Sequence, residues 1–139
     1  MKSFQNTILL IVIMLISTIA LSQSVSKNEC IKFLTDGYIS DGQEHIAKLA
    51  ENNVAKFYCT FYGGSYYRII ACSDINQYPL KLTVYDSEKN LLFCNKDYDY
   101  TPYWNFIFSS TVDCIIEIEF DVEKWLKQEV KLLIGFKEK

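Results

Sequence analysis

The chain is expected to be all-β: an antiparallel two-sheet β-sandwich of jelly-roll-like kind, with seven or eight strands and at most one or two short helices. Three observations point there. From Val54 onward, short apolar or alternating runs recur, separated by clusters of turn residues. Several runs alternate apolar and polar side chains with the period of two that puts one strand face in a core and the other in water. No segment leaves room for the crossover helices that a parallel sheet requires.

Along the chain, "VAKFYCTFY" places Phe57, Cys59 and Phe61 on one face and Tyr58, Thr60 and Tyr62 on the other. Gly63-Gly64 then reads as a hairpin turn, since glycine alone adopts positive φ without steric cost. "SYYRIIAC" returns with Tyr67, Ile69 and Ala71 inward and Tyr66 and Arg68 outward. "PLKLTVYD" is the cleanest alternation, with Leu80, Leu82 and Val84 inward and Lys81, Thr83 and Tyr85 outward. Pro79 suits the entrance of that strand, where its missing N–H costs no ladder bond.

Asp86 to Asn90 form a turn, and "LLFCN" is the next strand. "YWNFIFSS" turns Trp104, Phe106 and Phe108 inward. "DCIIEIEF" does the same with Cys114, Ile116, Ile118 and Phe120, leaving Glu117 and Glu119 in water. "DVEKWLKQE" has helical composition, and "EVKLLIGF" is the last strand. "HIAKLAENN" reads equally as a short helix or an edge strand, and the all-β surroundings favour the strand. The domain organisation that follows is a leader at 1–22, an N-terminal segment at 23–53, and the sandwich core at 54–139.

The leader reading rests on Lys2, the apolar run from Ile8 to Leu21, and the small residues of Ala20-Leu21-Ser22. That run is shorter than the roughly 20 residues a membrane-spanning helix needs. Cleavage after Ser22 is expected, with secreted or periplasmic localisation and membrane contact only during export; an uncleaved anchor is the alternative. Loss of Lys2 shifts the net charge from -3 to -4. Mild acidity and a single arginine, Arg68, argue against nucleic acid and anionic membrane as partners, because both reward clustered cations.

Five cysteines, Cys30, Cys59, Cys72, Cys94 and Cys114, follow the leader and are disulfide candidates in an oxidising compartment. Their number is odd, so at most two bridges form within the chain and one thiol stays free or links to another molecule. No Cys-x-x-Cys pair exists and His45 is the only histidine, so neither a metal site nor a cofactor is expected.

"AKFYCTFYGGSYYRI", "LTVYDSEKNLLFCN", "YWNFIFSSTVDCIIEIEF" and "LLIGFK" resemble a group of small secreted bacterial β-sandwich proteins of unassigned function. More distantly, their order resembles the bacterial pre-peptidase C-terminal (PPC) domain, across roughly Val54 to Phe120. The resemblance implies a non-catalytic sandwich that accompanies secreted proteins. Some relatives of that domain bind calcium near its start; Asp36 and Asp41 lie in the corresponding region, but without the spacing of a calcium loop, so the site is not carried over.

Four further stretches bear on chemistry. His45 lies near Asp41 and Glu44 and would anchor a small hydrolase. Glu117 and Glu119 share a strand face at about 7 Å, a separation open to glycoside chemistry, although outward charges of this kind usually keep a sheet soluble. "YGGSY" lacks the helix and the Lys-Ser/Thr pair of a phosphate loop.

The fourth stretch is "CNKDYDYTPYW", Cys94 to Trp104. Its Asp97, Tyr98, Asp99 and Tyr100 form the candidate ligand site, where rings stack on a ligand and carboxylates accept hydrogen bonds from it. Asn95, Asp97 and Asp99 would project to one side of an extended backbone, an arrangement that also suits a hard cation. The competing reading is a structural loop with its tyrosines flat over the sandwich rim and Trp104 in the core.

The leading expectation is therefore a non-enzymatic binder of a protein or glycan, using this loop and a surface that gathers Tyr58, Tyr62, Tyr66 and Tyr85. A structural accessory domain whose unpaired cysteine links chains, and a small secreted hydrolase, are the alternatives.

Overall fold

The computed structural model describes residues 28–138, so the leader and its cleavage site near Ser22 lie outside the described residues. A single helical turn, α1 (Asn28–Ile31), precedes nine strands. These are β1 (Ile39–Ser40), β2 (His45–Lys48), β3 (Val54–Phe61), β4 (Tyr66–Ser73), β5 (Leu80–Asp86), β6 (Leu91–Cys94), β7 (Tyr103–Ile107), β8 (Val112–Phe120) and β9 (Glu129–Lys137). A 3₁₀ turn, η1 (Asn95–Tyr98), follows β6. The two-residue β1 accounts for the strand beyond the expected eight.

All pairings are antiparallel and form two sheets. One runs β9-β4-β7, with β1 and β2 both pairing along β9; the other runs β3-β8-β5-β6. Alternation explains the core between them. Ile116, Ile118 and Phe120 of β8 meet Leu82 and Val84 of β5, and Ile69, Leu132 and Ile134 approach from the opposite sheet. At about 25 cal/mol per Å² of apolar surface removed from water, such fully buried side chains contribute roughly 1.5–3 kcal/mol each.

The structure corrects four local expectations. Gly63-Gly64 is not a hairpin turn, because β3 and β4 lie in different sheets and the connection carries the chain around the sandwich end. Glycine is required there for two reasons. Gly64 has φ +93°, and a Cβ on Gly63 would sit 2.8 Å from the Ser110 Cα. The only hairpin joining consecutive strands within one sheet, among the described residues, is β5–β6. Its turn is held by the Asp86 carboxylate, which accepts from the backbone N–H groups of Glu88 and Asn90.

The helical composition of "DVEKWLKQE" gives bends instead of a helix. Asn53, at φ 60°, pins this segment: its Oδ1 accepts the Leu126 N–H at 2.9 Å and its Nδ2 donates to the Lys124 carbonyl. Val122 and Leu126 are thereby turned onto the core. Thr83 does sit on the outer strand face, yet it is buried, because β5 is an interior strand flanked by β6 and β8.

The largest correction concerns β4. Arg68, expected in water, is 2 % exposed. Both faces of this strand are covered: Ile69 and Ala71 face the main core, while Ile70 and Cys72 join Cys30 and Leu133 in a second core. Phe33 and Leu34 of the N-terminal segment close that second core, and a disulfide joins Cys30 to Cys72. Gly135 on β9 allows the close approach, since a Cβ there would meet Leu34 Cδ2 at 2.5 Å.

Arg68 is the hub of this second layer. Its Nε donates to Asn105 Oδ1 at 2.8 Å, its Nη1 to the Phe33 carbonyl at 2.8 Å and Thr35 Oγ1 at 2.9 Å, and its Nη2 to Asp36 Oδ2 at 3.0 Å. The guanidinium lies between the rings of Tyr38 and Tyr103, 4.3 and 4.4 Å from their centroids. The planar fork fits this stacked, multiply bonded setting in a way an ammonium could not. Asp36, mostly exposed, has its carboxyl held below the usual range, first by the hydrogen bond from Arg68.

"HIAKLAENN" resolves as β2 followed by a turn, with Leu49 packed into the core. No helix among the described residues is long and apolar enough to cross a membrane.

Candidate functional site

The connection from β6 to β7 begins with Asn95, which has no exposed surface. Its side chain continues the ladder that β6 abandons. Oδ1 accepts the Leu82 N–H at 2.8 Å, and Nδ2 donates to the Leu80 carbonyl at 3.0 Å, as the peptide group of a neighbouring strand would. A third bond, Nδ2 to the Thr101 carbonyl at 2.9 Å, ties the two ends of the loop together. The Asn95 carbonyl in turn accepts from Tyr100 N–H. Asp99 and Tyr100 both adopt left-handed backbone, with φ near 52° and 53°, so the chain folds tightly around this amide.

That winding decides where the candidate residues go. Asp97, Tyr98 and Asp99 are exposed at the tip and Tyr100 is half-buried. The one-sided set of Asn95, Asp97 and Asp99 does not form: Asn95 points into the sandwich with its amide fully bonded, and the backbone is a 3₁₀ turn instead of a strand. A cation ligand set of these three is thus overturned.

Tyr98 is 50 % exposed and rests on an aromatic ladder that leads into the core. Its ring stacks on Phe93 at 5.6 Å and lies 4.5 Å from Trp104; Phe93 and Trp104 stack at 4.7 Å, and Phe106 meets Phe93 edge-on. Trp104 packs against the core, as its alternation predicts. One face of Tyr98 is fixed by packing and the rest is open to water, with a carboxylate on either side in sequence. Rigid aromatic surface of this kind offers contact area at little entropic cost.

Tyr100 serves another purpose. Its hydroxyl donates to the Asp121 carboxylate, which also pairs with Lys96 Nζ at 2.8 Å. Lys96 and then Tyr100 hold the Asp121 carboxyl below the usual range, and the same bond raises the Tyr100 phenol. The hydroxyl is therefore spent inside the protein, leaving Asp97, Tyr98 and Asp99 as the reachable part of the predicted four.

The other tyrosines do not gather on one face. Tyr58 and Tyr85 flank Ile115 in register across the outer face of the four-stranded sheet. Tyr66 belongs to the other sheet, with the Lys137 ammonium 5.6 Å from its ring centroid, and Tyr62 lies beyond the end of β3. Glu117 and Glu119 are each claimed by a lysine, Lys56 and Lys81 respectively, the arrangement expected of outward charges that keep a sheet soluble.

His45 on β2 packs edge-on to Phe57 and lines a cavity of about 600 Å³ between the N-terminal segment and β9. Ile31, Leu34 and Leu133 supply apolar lining, and Ser40, Glu44 and Glu129 share the cavity with the imidazole. Asp41, the other acid near His45 in sequence, is not among the lining residues.

Asn95 and Arg68 organise these regions, and in the sequence reading neither carried that role. Asn95 sits directly after an apolar run, where a polar residue reads as the start of a loop. The uninterrupted "IIAC" after Arg68 was the available signal of a strand buried on both faces. No protein-family model matches the chain, and the search of curated proteins finds no match.

Proposed function

We propose that this chain is an exported, non-enzymatic β-sandwich that binds a glycan through the β6–β7 tip, with Tyr98 as the stacking surface and Asp97 and Asp99 as hydrogen-bond acceptors. The observation that carries the reading is the half-exposed Tyr98 ring, stacked on Phe93 and in tilted contact with Trp104. A sugar ring presents an apolar face to such a shelf and hydroxyls to its edges, which matches one aromatic flanked by two carboxylates. Export draws support from Lys2 and the apolar run, and from the Cys30–Cys72 disulfide, a bond that persists in oxidising compartments. The resemblance to secreted PPC-like sandwiches points the same way.

The test is retention on an array of immobilised glycans, with envelope proteins arrayed in parallel. Tyr98→Ala is expected to weaken glycan retention by about tenfold or more, equivalent to roughly 1.4 kcal/mol. Retention on the protein array alone would move the partner to another class. Unchanged glycan retention by Tyr98→Ala, with its fold verified by circular dichroism, would refute the site.

A second reading, hydrolysis, draws on one observation, the shared cavity of His45, Ser40 and Glu44. It requires turnover of a fluorogenic ester or peptide panel that His45→Ala abolishes. Absence of turnover by the wild-type chain retires it.

A further inference from the structure

We propose that Cys59 and Cys114 are a cross-strand dithiol, a modification site that closes into a second disulfide by exchange with a small-molecule disulfide. The two residues are direct register partners between β3 and β8. Directly opposed residues of an antiparallel pair stand about 4.5–5.5 Å apart at Cα and project to the same face. Disulfides span Cα separations of about 4.4–6.8 Å, so the backbone is already placed for the bond. The alternation agrees: Cys59 follows Phe57 and precedes Phe61 on the inner face, and Cys114 precedes Ile116 and Ile118 on the same side of its sheet.

Neither sulfur is bonded, and the third free thiol cannot compete for them. Cys94 pairs in register with Thr83, which lies on the outer face between the inward Leu82 and Val84. Reaching Cys59 or Cys114 would require Cys94 to pass through the sheet.

Access is built in. Cys59 is only partly buried, whereas Cys114 is 2 % exposed. β3 is the edge strand of its sheet, which leaves Cys59 next to an unpaired strand edge. The order of events follows from this difference in exposure. The Cys59 thiolate attacks the small disulfide, forming a mixed disulfide and releasing one small thiolate. The Cys114 thiolate then attacks Cys59 Sγ and expels the second. Two electrons pass from the protein thiols to the small disulfide, and the two protons lost by the cysteines end on the released thiols.

Burial pushes both thiols up to about 11, so thiolate is scarce at neutral pH and closure accelerates as pH rises. The resulting pairing, Cys30 with Cys72 and Cys59 with Cys114, assigns the odd thiol to Cys94 on the outer face. This inference stands whether or not Tyr98 binds a glycan.

The experiment uses Cys94→Ser protein with the Cys30–Cys72 bond intact, incubated with oxidised glutathione at mildly alkaline pH. Intact mass and a non-reducing peptide map give the readout. The expected result is loss of two hydrogens, a peptide linked through Cys59 and Cys114, and a thermal midpoint raised by roughly 10 °C over the reduced form. The further single changes Cys59→Ser and Cys114→Ser should block closure, and in Cys114→Ser the reaction stops at a glutathione adduct on Cys59. A stable adduct on Cys59 while Cys114 is still present would overturn the proposal. So would two thiols that remain alkylatable after prolonged oxidation.

Discussion

Arg68→Ala is expected to lower the free energy of unfolding by about 3–4 kcal/mol, a large share of the roughly 5–15 kcal/mol that holds a domain of this size. The loss comes from three sources. The Phe33 carbonyl, Thr35 and Asn105 lose a charged donor, the space between Tyr38 and Tyr103 empties, and the N-terminal segment loses its main polar attachment to β4. The ion pair itself matters little, because Asp36 is mostly exposed and exposed pairs are worth about 0–1 kcal/mol. Asp36→Asn should therefore cost under about 1 kcal/mol. Urea titration of both variants checks the contrast. Equal midpoints for Arg68→Ala and Asp36→Asn would mean that stacking and burial contribute nothing. Limited proteolysis supplies the local readout, with cleavage between residues 32 and 44 expected to rise in Arg68→Ala alone.

Asn95→Leu keeps the branched shape and removes the amide, and about 3 kcal/mol of destabilisation is expected. The Leu82 N–H and the carbonyls of Leu80 and Thr101 would be left without partners in a site closed to water. Asn95→Asp separates polarity from geometry. An ionised carboxylate could accept from Leu82 but would face two carbonyl oxygens, so its folded-state pKa would rise above the unfolded one. Destabilisation is then greatest at neutral pH and eases as pH falls through the raised value. Thermal melts of the two variants across that range test this: a pH-independent deficit in Asn95→Asp would contradict the bonding assigned to the amide.

These two residues show where reading the sequence succeeds and fails. β5, β8 and the Asp86–Asn90 turn were legible because each states its structure locally, through alternation or through a carboxylate that caps its own turn. Arg68 was misread because period-two alternation assigns it a face but says nothing of what covers that face. The cover is a segment more than 30 residues upstream, fastened by a disulfide whose pairing sequence spacing could not choose. Gly63-Gly64 fits a tight hairpin and a turn at the sandwich end equally well, and only the assignment of β3 and β4 to different sheets separates them. Composition favoured a helix at "DVEKWLKQE", but the bonds from Asn53 outweigh a helix propensity of tenths of a kcal/mol per residue.

In the candidate site, exposure of Asp97, Tyr98 and Asp99 was legible from polarity and turn composition. Withdrawal of Tyr100 was not, because its partner Asp121 comes from the far end of β8.

The pairing of β1, β2 and β4 along β9 also has a kinetic side. One sheet takes its central template from the last described strand, and Ile39 is registered with Phe136 across nearly the whole domain. Most other neighbours are non-local too, leaving β5–β6 as the one hairpin among the described residues able to form early. High contact order of this kind slows folding, and here it also postpones it, since no partial chain emerging from the ribosome can complete that sheet. Until β9 is made, β1 and β2 have no strand to pair with and β4 has only β7.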